Sequence, residues 1–136
     1  APEYSALPYP GILDVLTRLH NSGVKIYIVT NKRVKPTLKL MKKFQITQIC
    51  SGMFTPDIVS ADIHLTKSEL LNLALKISAV DPQNALIVGD TELDIAAGKN
   101  NNVATCAVTW GYGRTLMLEK ADADFTVNTA VELLDL

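Results

Sequence analysis

Cysteine is scarce: Cys50 and Cys106 are the only two, far apart, each set among small or apolar residues. No pairing motif and no second ligand set accompanies them, which argues against a disulfide framework or a thiolate zinc site and for reduced core residues. His20, near a helix end, and His64, in a loop, likewise lack the partner spacing of a zinc site or a catalytic base. Long apolar runs are missing as well, since no stretch approaches the roughly 18 residues needed to span a bilayer. Ala1-Pro2-Glu3-Tyr4 shows neither the basic segment nor the apolar stretch of about 7–15 residues that marks a secretory leader. The expectation is a cytoplasmic protein without membrane association. An excess of charge of one sign is absent too: 13 basic and 14 acidic residues leave a formal net charge of -1. Such a chain has no field to draw it to nucleic acid or anionic lipid.

What is present is the composition of a globular domain with a real core, 48% hydrophobic and 20% charged over 136 residues. The expectation is a single domain over residues 1–136. No internal repeat or low-complexity tract interrupts it. The apolar pattern switches repeatedly between helical spacing and short β-branched runs, which predicts alternating helices and strands around a mostly parallel sheet.

After a Pro-rich entry at Pro8, Pro10 and Gly11, the residues Ile12, Leu13, Leu16 and Leu19 mark one face of a helix that Gly23 can close. A strand over Val24 to Val29 follows, apolar enough to be buried on both faces. Leu38, Met41 and Phe44 mark a second helix through Pro36 to Phe44, and Ile58-Val59 is read as a short strand. The basic cluster Lys32, Arg33, Lys35, Lys39, Lys42 and Lys43 is read as the solvated face of that helix, with a binding patch as the alternative. Thr66 and Glu69 have the spacing of a capping box, so a third helix runs from Lys67 to about Ile77 with Leu70, Leu71, Ala74 and Ile77 inward. A strand at Ala85 to Val88 leads into Gly89-Asp90-Thr91-Glu92-Leu93-Asp94 and a helix to about Asn100. Ala104 to Val108 forms a further strand, opening into Trp110-Gly111-Tyr112-Gly113. A helix near Leu116, an extended piece at Phe125-Thr126-Val127 and a terminal helix capped by Thr129 complete the chain.

In an open parallel sheet, ligands sit beyond the carboxyl ends of the strands. Thr30 closes the first strand and, with Asn31 behind it, offers two donors for a phosphoryl oxygen; a simple turn is the alternative. Gly89-Asp90 places a carboxylate at another strand end, where a hard cation could bind. Asp94 could reach the same cation, or only stabilise the helix N-terminus through the macrodipole. Lys67 opens a helix, where the dipole disfavours a cation, so it either faces solvent or has an anionic partner.

These residues together resemble the haloacid dehalogenase (HAD) phosphatase family, in particular its phosphoglycolate-phosphatase-like members. The matching stretches are Pro8-Tyr9-Pro10-Gly11, Ile28-Val29-Thr30-Asn31-Lys32, Lys67 heading a helix, Val88 through Asp94, and Trp110 through Gly113, and they cover nearly the whole chain. The resemblance implies a Rossmann-like HAD core, α/β, with a mostly parallel sheet flanked by helices. It implies that Thr30 and Asn31 hold the transferring phosphoryl group, that Lys67 neutralises its charge, and that Asp90 helps bind Mg²⁺ with Asp94 in support. It also implies a small phosphorylated metabolite as substrate. Such chemistry fits the residue types, since phosphoryl transfer requires positioned donors, a cation and a metal to spread charge.

The family also uses an aspartate nucleophile after its first strand, in a pair of aspartates separated by one residue. Asp14 is the only aspartate ahead of the Thr30 strand, Leu16 stands where the second acid belongs, and the periodicity makes Asp14 a polar helix position. The resemblance therefore implies that the first strand, its catalytic loop and the mobile cap domain are missing, with two consequences. Hydrolysis and Mg²⁺ binding should be weak. In the family the first strand lies between the strands that here end at Thr30 and Val88, so their edges would lose a partner, and self-association or marginal stability is expected. Two further readings compete: a non-catalytic remnant that binds phosphate, metal or a partner, and a phosphoacceptor receiver domain. The receiver fails on order, because Thr30 and Lys67 both precede Asp90.

Overall fold

The computed structural model describes residues 11–58, 64–110 and 115–136. The stretch Pro8-Tyr9-Pro10, residue Val59 and the loop Gly111-Tyr112-Gly113 lie outside the described residues. The chain forms two compact units, one running to residue 63 and taking in residues 130–136, the other comprising residues 64–129. No helix among the described residues is long and apolar enough to cross a membrane.

The first unit contains α1 (Ile12–Asn21), β1 (Ile26–Val29), α2 (Val34–Lys43) and β2 (Cys50–Phe54), with short 3-10 turns at Pro56–Ile58 and Ala130–Asp135. Val15 is the buried residue of α1, flanked by half-buried Ile12, Leu13, Leu16 and Leu19, and this face meets the C-terminal 3-10 turn. Gly23 ends the helix as expected, at φ 92°, with Val24 N–H reaching Leu19 O and Gly23 N–H reaching His20 O, each at 3.0 Å. That double bond is the left-handed cap that glycine adopts without strain. Asp14 lies on the exposed side, 3.1 Å from Arg18 one turn on. On α2, Thr37 and Met41 face inward while Lys35, Lys39, Lys42 and Lys43 lie on the exposed side.

Ile58, expected to begin a short strand with Val59, belongs instead to a 3-10 turn, and among the described residues the strand that pairs in parallel with β1 is β2. Cys50-Ser51-Gly52-Met53-Phe54 has little strand propensity, and it is tertiary pairing that makes it a strand. Gly52 faces Tyr27, whose ring would lie 3.0 Å from a Cβ added there. Tyr27 in turn meets the Phe54 ring with centroids 6.3 Å apart. The terminal helix is also corrected, to the 3-10 turn Ala130–Asp135.

The second unit contains α3 (Lys67–Ser78), β3 (Leu86–Gly89), α4 (Glu92–Asn100), β4 (Ala104–Val108), α5 (Thr115–Lys120) and β5 (Phe125–Val127). Its strands are parallel in the order β3-β4-β5, joined by helical crossovers. The Thr66/Glu69 capping box forms as expected, with Glu69 N–H to Thr66 Oγ1 at 3.1 Å and Thr66 N–H to Glu69 Oε1 at 2.9 Å. The buried face of α3 is Leu70, Leu71, Ala74 and Leu75, whereas Ile77, in the last turn and at the edge of this i, i+1, i+4, i+5 stripe, is exposed. Asn101 sets the α3–α4 register, donating to Ser68 O at 2.9 Å and Ala97 O at 2.8 Å while accepting from Asn72 at 3.1 Å. Ile95, Ala107 and Leu118 centre the apolar core.

Burial across the strands differs from the expectation of a doubly buried run at Val24 to Val29. β4 has a strand on each side, and Thr105, Cys106, Ala107 and Val108 are all buried. β3 pairs with β4 alone among the described residues, and Leu86 and Val88 stay 40% and 43% exposed. In β1, which pairs only with β2 among the described residues, Ile26 alone is buried. Val24, expected in the strand, precedes it and is exposed.

Three carboxylates tie loops to the frame, and each has its pKa held below the ordinary carboxylate range. Burial pushes Asp57 up, but hydrogen bonds from Thr55, Val34 and its own backbone N–H, with the Arg33 charge, outweigh it. Glu69 is lowered by the Thr66 N–H and hydroxyl, and Asp124 by the Thr105 N–H and hydroxyl. Groups whose folded pKa lies below the unfolded value contribute stability fully above about pH 4 and lose it as pH falls through the folded values. The melting temperature is therefore expected to be flat from about pH 8 to 5 and to drop below about pH 4. In Asp124→Asn, thermal melts across this range are expected to show a shallower acid decline; an unchanged profile would remove Asp124 from the acid response.

Candidate functional site

Thr30 stands at the carboxyl end of β1. Its N–H extends the pairing to Phe54 O at 3.1 Å, and its Oγ1 accepts the Lys32 N–H at 3.2 Å. A hydroxyl that accepts one bond still has its proton to give, so Thr30 is set up as a donor with its oxygen fixed by its own loop. Asn31 beside it is exposed. The turn expected as the alternative reading of Thr30 is present, closed by the Lys32 N–H.

In the second unit the chain leaves β3 through Gly89 into Asp90 and then α4. Thr91 caps α4, accepting the Asp94 N–H at 3.4 Å, while Thr91 N–H and Oγ1 donate to Asp94 Oδ2 at 3.3 and 3.0 Å. This second capping box was legible in Thr91-Glu92-Leu93-Asp94 as the threonine and acid three residues apart, but Asp in place of Glu weakens that signature. A Cβ on Gly89 would overlap the Cβ, Cγ and Oδ2 of Asp94, so glycine is required for the carboxylate to lie over the strand end.

The other oxygen of Asp94 meets Lys67. Nζ lies 3.1 Å from Oδ1, with the side chains only 15% and 12% exposed. The structure thus brings together two of the expected site residues, and it supplies the anionic partner that a lysine opening a helix requires. Asp94 serves both as helix cap and as counter-ion. Asp90, half-buried, follows the glycine at the end of β3.

Asp122-Ala123-Asp124 also has the one-residue spacing of a catalytic aspartate pair. The structure gives it a different role. Asp124 Oδ2 accepts the Thr105 N–H and hydroxyl at 2.8 and 3.0 Å, and Asp124 N–H returns a bond to Thr105 Oγ1 at 2.9 Å. Asp122 is 92% exposed, 3.9 Å from Lys99. The pair leads into β5 rather than following a strand, and it anchors β5 to β4.

The carboxylates do not make a metal centre on their own. Among the described residues no group of three or more His, Cys, Asp or Glu side chains could hold an ion. Asp94 is committed to Lys67 and Thr91, and Asp90 stands at the same strand end. A Mg²⁺ ion is commonly held by one or two carboxylates together with water and substrate phosphate.

Residues 3–108 match the family model described as haloacid dehalogenase-like hydrolase, and the chain belongs to that family. A phosphoglycolate phosphatase of Aquifex aeolicus is 34% identical over 132 residues, which is 95% of this chain and 58% of that protein. The pyrophosphatase PpaX of Halalkalibacterium halodurans is 28% identical over 131 residues, 95% of this chain and 59% of that protein. Among solved structures, a haloacid dehalogenase-like family hydrolase from Streptococcus pneumoniae superposes with a TM-score of 0.83 at 25% identity, covering 93% of this chain and 58% of that one. The chain spans between half and two thirds of the length of these relatives. Its fold is the Rossmann-like α/β core of the family, parallel strands flanked by helices.

Proposed function

We propose that this chain carries the phosphoryl-binding and charge-balancing groups of a Mg²⁺-dependent phosphomonoester phosphatase for a small phosphorylated metabolite, and that as a 136-residue chain it has little or no hydrolytic activity. The observation that carries the reading is the Lys67–Asp94 pair seated on the Gly89 strand end, in a chain of the haloacid dehalogenase-like hydrolase family. Two charges that are this little exposed are expensive to desolvate, and a phosphoryl site is a use that repays them. The relatives named phosphoglycolate phosphatase and pyrophosphatase supply the substrate class.

In this reading the Thr30 hydroxyl and Asn31 amide donate to phosphoryl oxygens, and Lys67 is the cation that offsets phosphoryl charge. Asp94 holds Lys67 in place, and Asp90 is the residue offered to Mg²⁺, which it would bind weakly here. Low activity follows because no aspartate pair stands ahead of Thr30 and Asp124 is committed to Thr105. The same facts favour a second reading, a non-catalytic module that binds phosphate or a partner.

The test is hydrolysis of an aryl phosphate with millimolar Mg²⁺, wild type beside Asp90→Asn, together with titration of inorganic phosphate. The expected outcome is near-silence of both proteins in hydrolysis and phosphate binding that Thr30→Val weakens. Turnover by wild type but not by Asp90→Asn would show that some other carboxylate attacks. Failure of phosphate to bind would reject the phosphoryl site.

The reading includes self-association through sheet edges, supported by the half-exposed Leu86 and Val88 of β3. Sedimentation is expected to show concentration-dependent dimerisation that Val88→Lys abolishes; a monomer at all concentrations with a sharp, high-temperature melt would dispose of it.

A further inference from the structure

We propose that Asp57 is a positioning residue for the Thr30–Asn31 donor pair, an inference that rests on reading those two residues as phosphoryl donors. α2 starts at Val34, and its N-cap, Arg33, makes no side-chain cap bond. Helix N-termini present N–H groups with no intrahelical acceptor, and arginine has no acceptor to offer. The acceptor comes from far along the chain: Asp57 Oδ1 and Oδ2 take the Val34 N–H at 3.1 and 3.2 Å.

The carboxylate is itself held. Thr55, fully buried, donates its hydroxyl to Asp57 Oδ1 at 2.9 Å, and Arg33 Nε lies 3.7 Å from Oδ2. The same short stretch also fixes the other end of the loop, because Phe54 O accepts the Thr30 N–H at 3.1 Å. Residues 54–57 thus pin the run from Thr30 to Val34 at both ends, and the Lys32 N–H to Thr30 Oγ1 bond braces it internally at 3.2 Å. Three residues between two fixed points have little freedom. The direction in which Thr30 and Asn31 present their donors is therefore set by Asp57, a residue whose charge is the wrong sign for an anion site.

That sign makes the inference decidable. By charge alone, removing a carboxylate near an anion site strengthens phosphate binding. If Asp57 acts by position, removing it weakens binding. Asp57→Asn keeps the volume but turns an NH₂ donor towards groups that are already donors.

The experiment follows the full chain by ¹⁵N NMR, with amide exchange at residues 31–34 and titration of inorganic phosphate, in wild type, Asp57→Asn and Asp124→Asn. Asp124→Asn is the control for a lost threonine-anchoring carboxylate in the other unit. Asp57→Asn is expected to speed exchange at Asn31 to Val34 and to weaken phosphate about tenfold, the scale of one charge-assisted hydrogen bond. Asp124→Asn is expected to lower Tm and change neither quantity. Unchanged exchange in Asp57→Asn, or phosphate bound equally or more tightly, would overturn the role of Asp57. No phosphate-induced shift in wild type would instead overturn Thr30 and Asn31 as donors, while the exchange data still decide whether Asp57 holds the loop. Should Asp57→Asn fail to fold, Thr55→Val keeps the carboxylate but removes the bond that aims it, and is expected to move both readouts the same way by less.

Discussion

Lys67→Met is expected to destabilise the chain by roughly 3 kcal/mol, the lower end of what removing one partner of a buried ion pair costs. The lower end applies because the two side chains keep 15% and 12% of their surface exposed. The loss has a specific source. Asp94 cannot swing out to water, since its other oxygen is tied to the Thr91 N–H and hydroxyl and its carboxylate lies against Gly89. Lys67→Met strands that charge where it stands. A double-mutant cycle with Asp94→Asn, which keeps an acceptor for the Thr91 cap, separates the pair from the cap. The expected coupling is at least about 1 kcal/mol, read from urea denaturation. A coupling near zero would mean that water separates the two groups in solution, and the reading of Lys67 as a fixed cation would go with it.

Gly98→Ala is the second large effect, and its sign opposes helix propensity. In an exposed helix interior alanine is favoured over glycine by about 1 kcal/mol. Here a Cβ would overlap the Cγ2 of Thr105 and lie 2.7 Å from the Cγ2 of Ile87. Overpacking typically costs about 1–3 kcal/mol, and relief by rotating Thr105 is blocked because its hydroxyl is bonded to Asp124 in both directions. A net loss of about 2 kcal/mol is expected, and Tm is expected to fall by roughly 5–10 °C. Thr105→Ser removes the obstructing methyl and keeps the hydroxyl, so it is expected to recover part of the loss in the double variant. A rise in Tm for Gly98→Ala alone would show that α4 can lift from β3 and β4 at no cost.

The features legible in the sequence are those set by neighbours within a turn or two. The Thr66/Glu69 box, the Gly23 cap and the helices α1, α3 and α4 are decided by residues three to five apart, and they appear where the spacing puts them. Thr30 and Asp90 were found for a related reason: each follows an apolar run, and a polar residue ending such a run marks a strand terminus. β2 was missed because nothing local makes Cys50 to Phe54 a strand; its partner β1 lies more than twenty residues earlier. Ile58, more β-branched and apolar, falls instead in a turn that brings Asp57 to the start of α2.

The candidate site divides in the same way. Residue types and order sufficed to single out Thr30, Asn31, Lys67, Asp90 and Asp94, and to link them to a hydrolase family that the match over residues 3–108 bears out. Spacing alone left Asp94 with two readings and Lys67 with two, because a carboxylate in a first helical turn and a lysine at a helix start are each compatible with solvent. Their separation of 27 positions in the chain conceals that they meet at 3.1 Å. Asp122-Ala123-Asp124 carries the reverse lesson, a suggestive spacing whose second carboxylate is spent on a buried threonine.

What the sequence by itself determined is the alternation of elements, their caps, the family and the residues worth testing, since periodicity and capping are local in the chain. Only the tertiary structure decided which charges are paired, which strand ends carry a committed carboxylate, and which strands remain half-covered. Those are properties of desolvation and distance, and both depend on groups that the chain brings together from far apart.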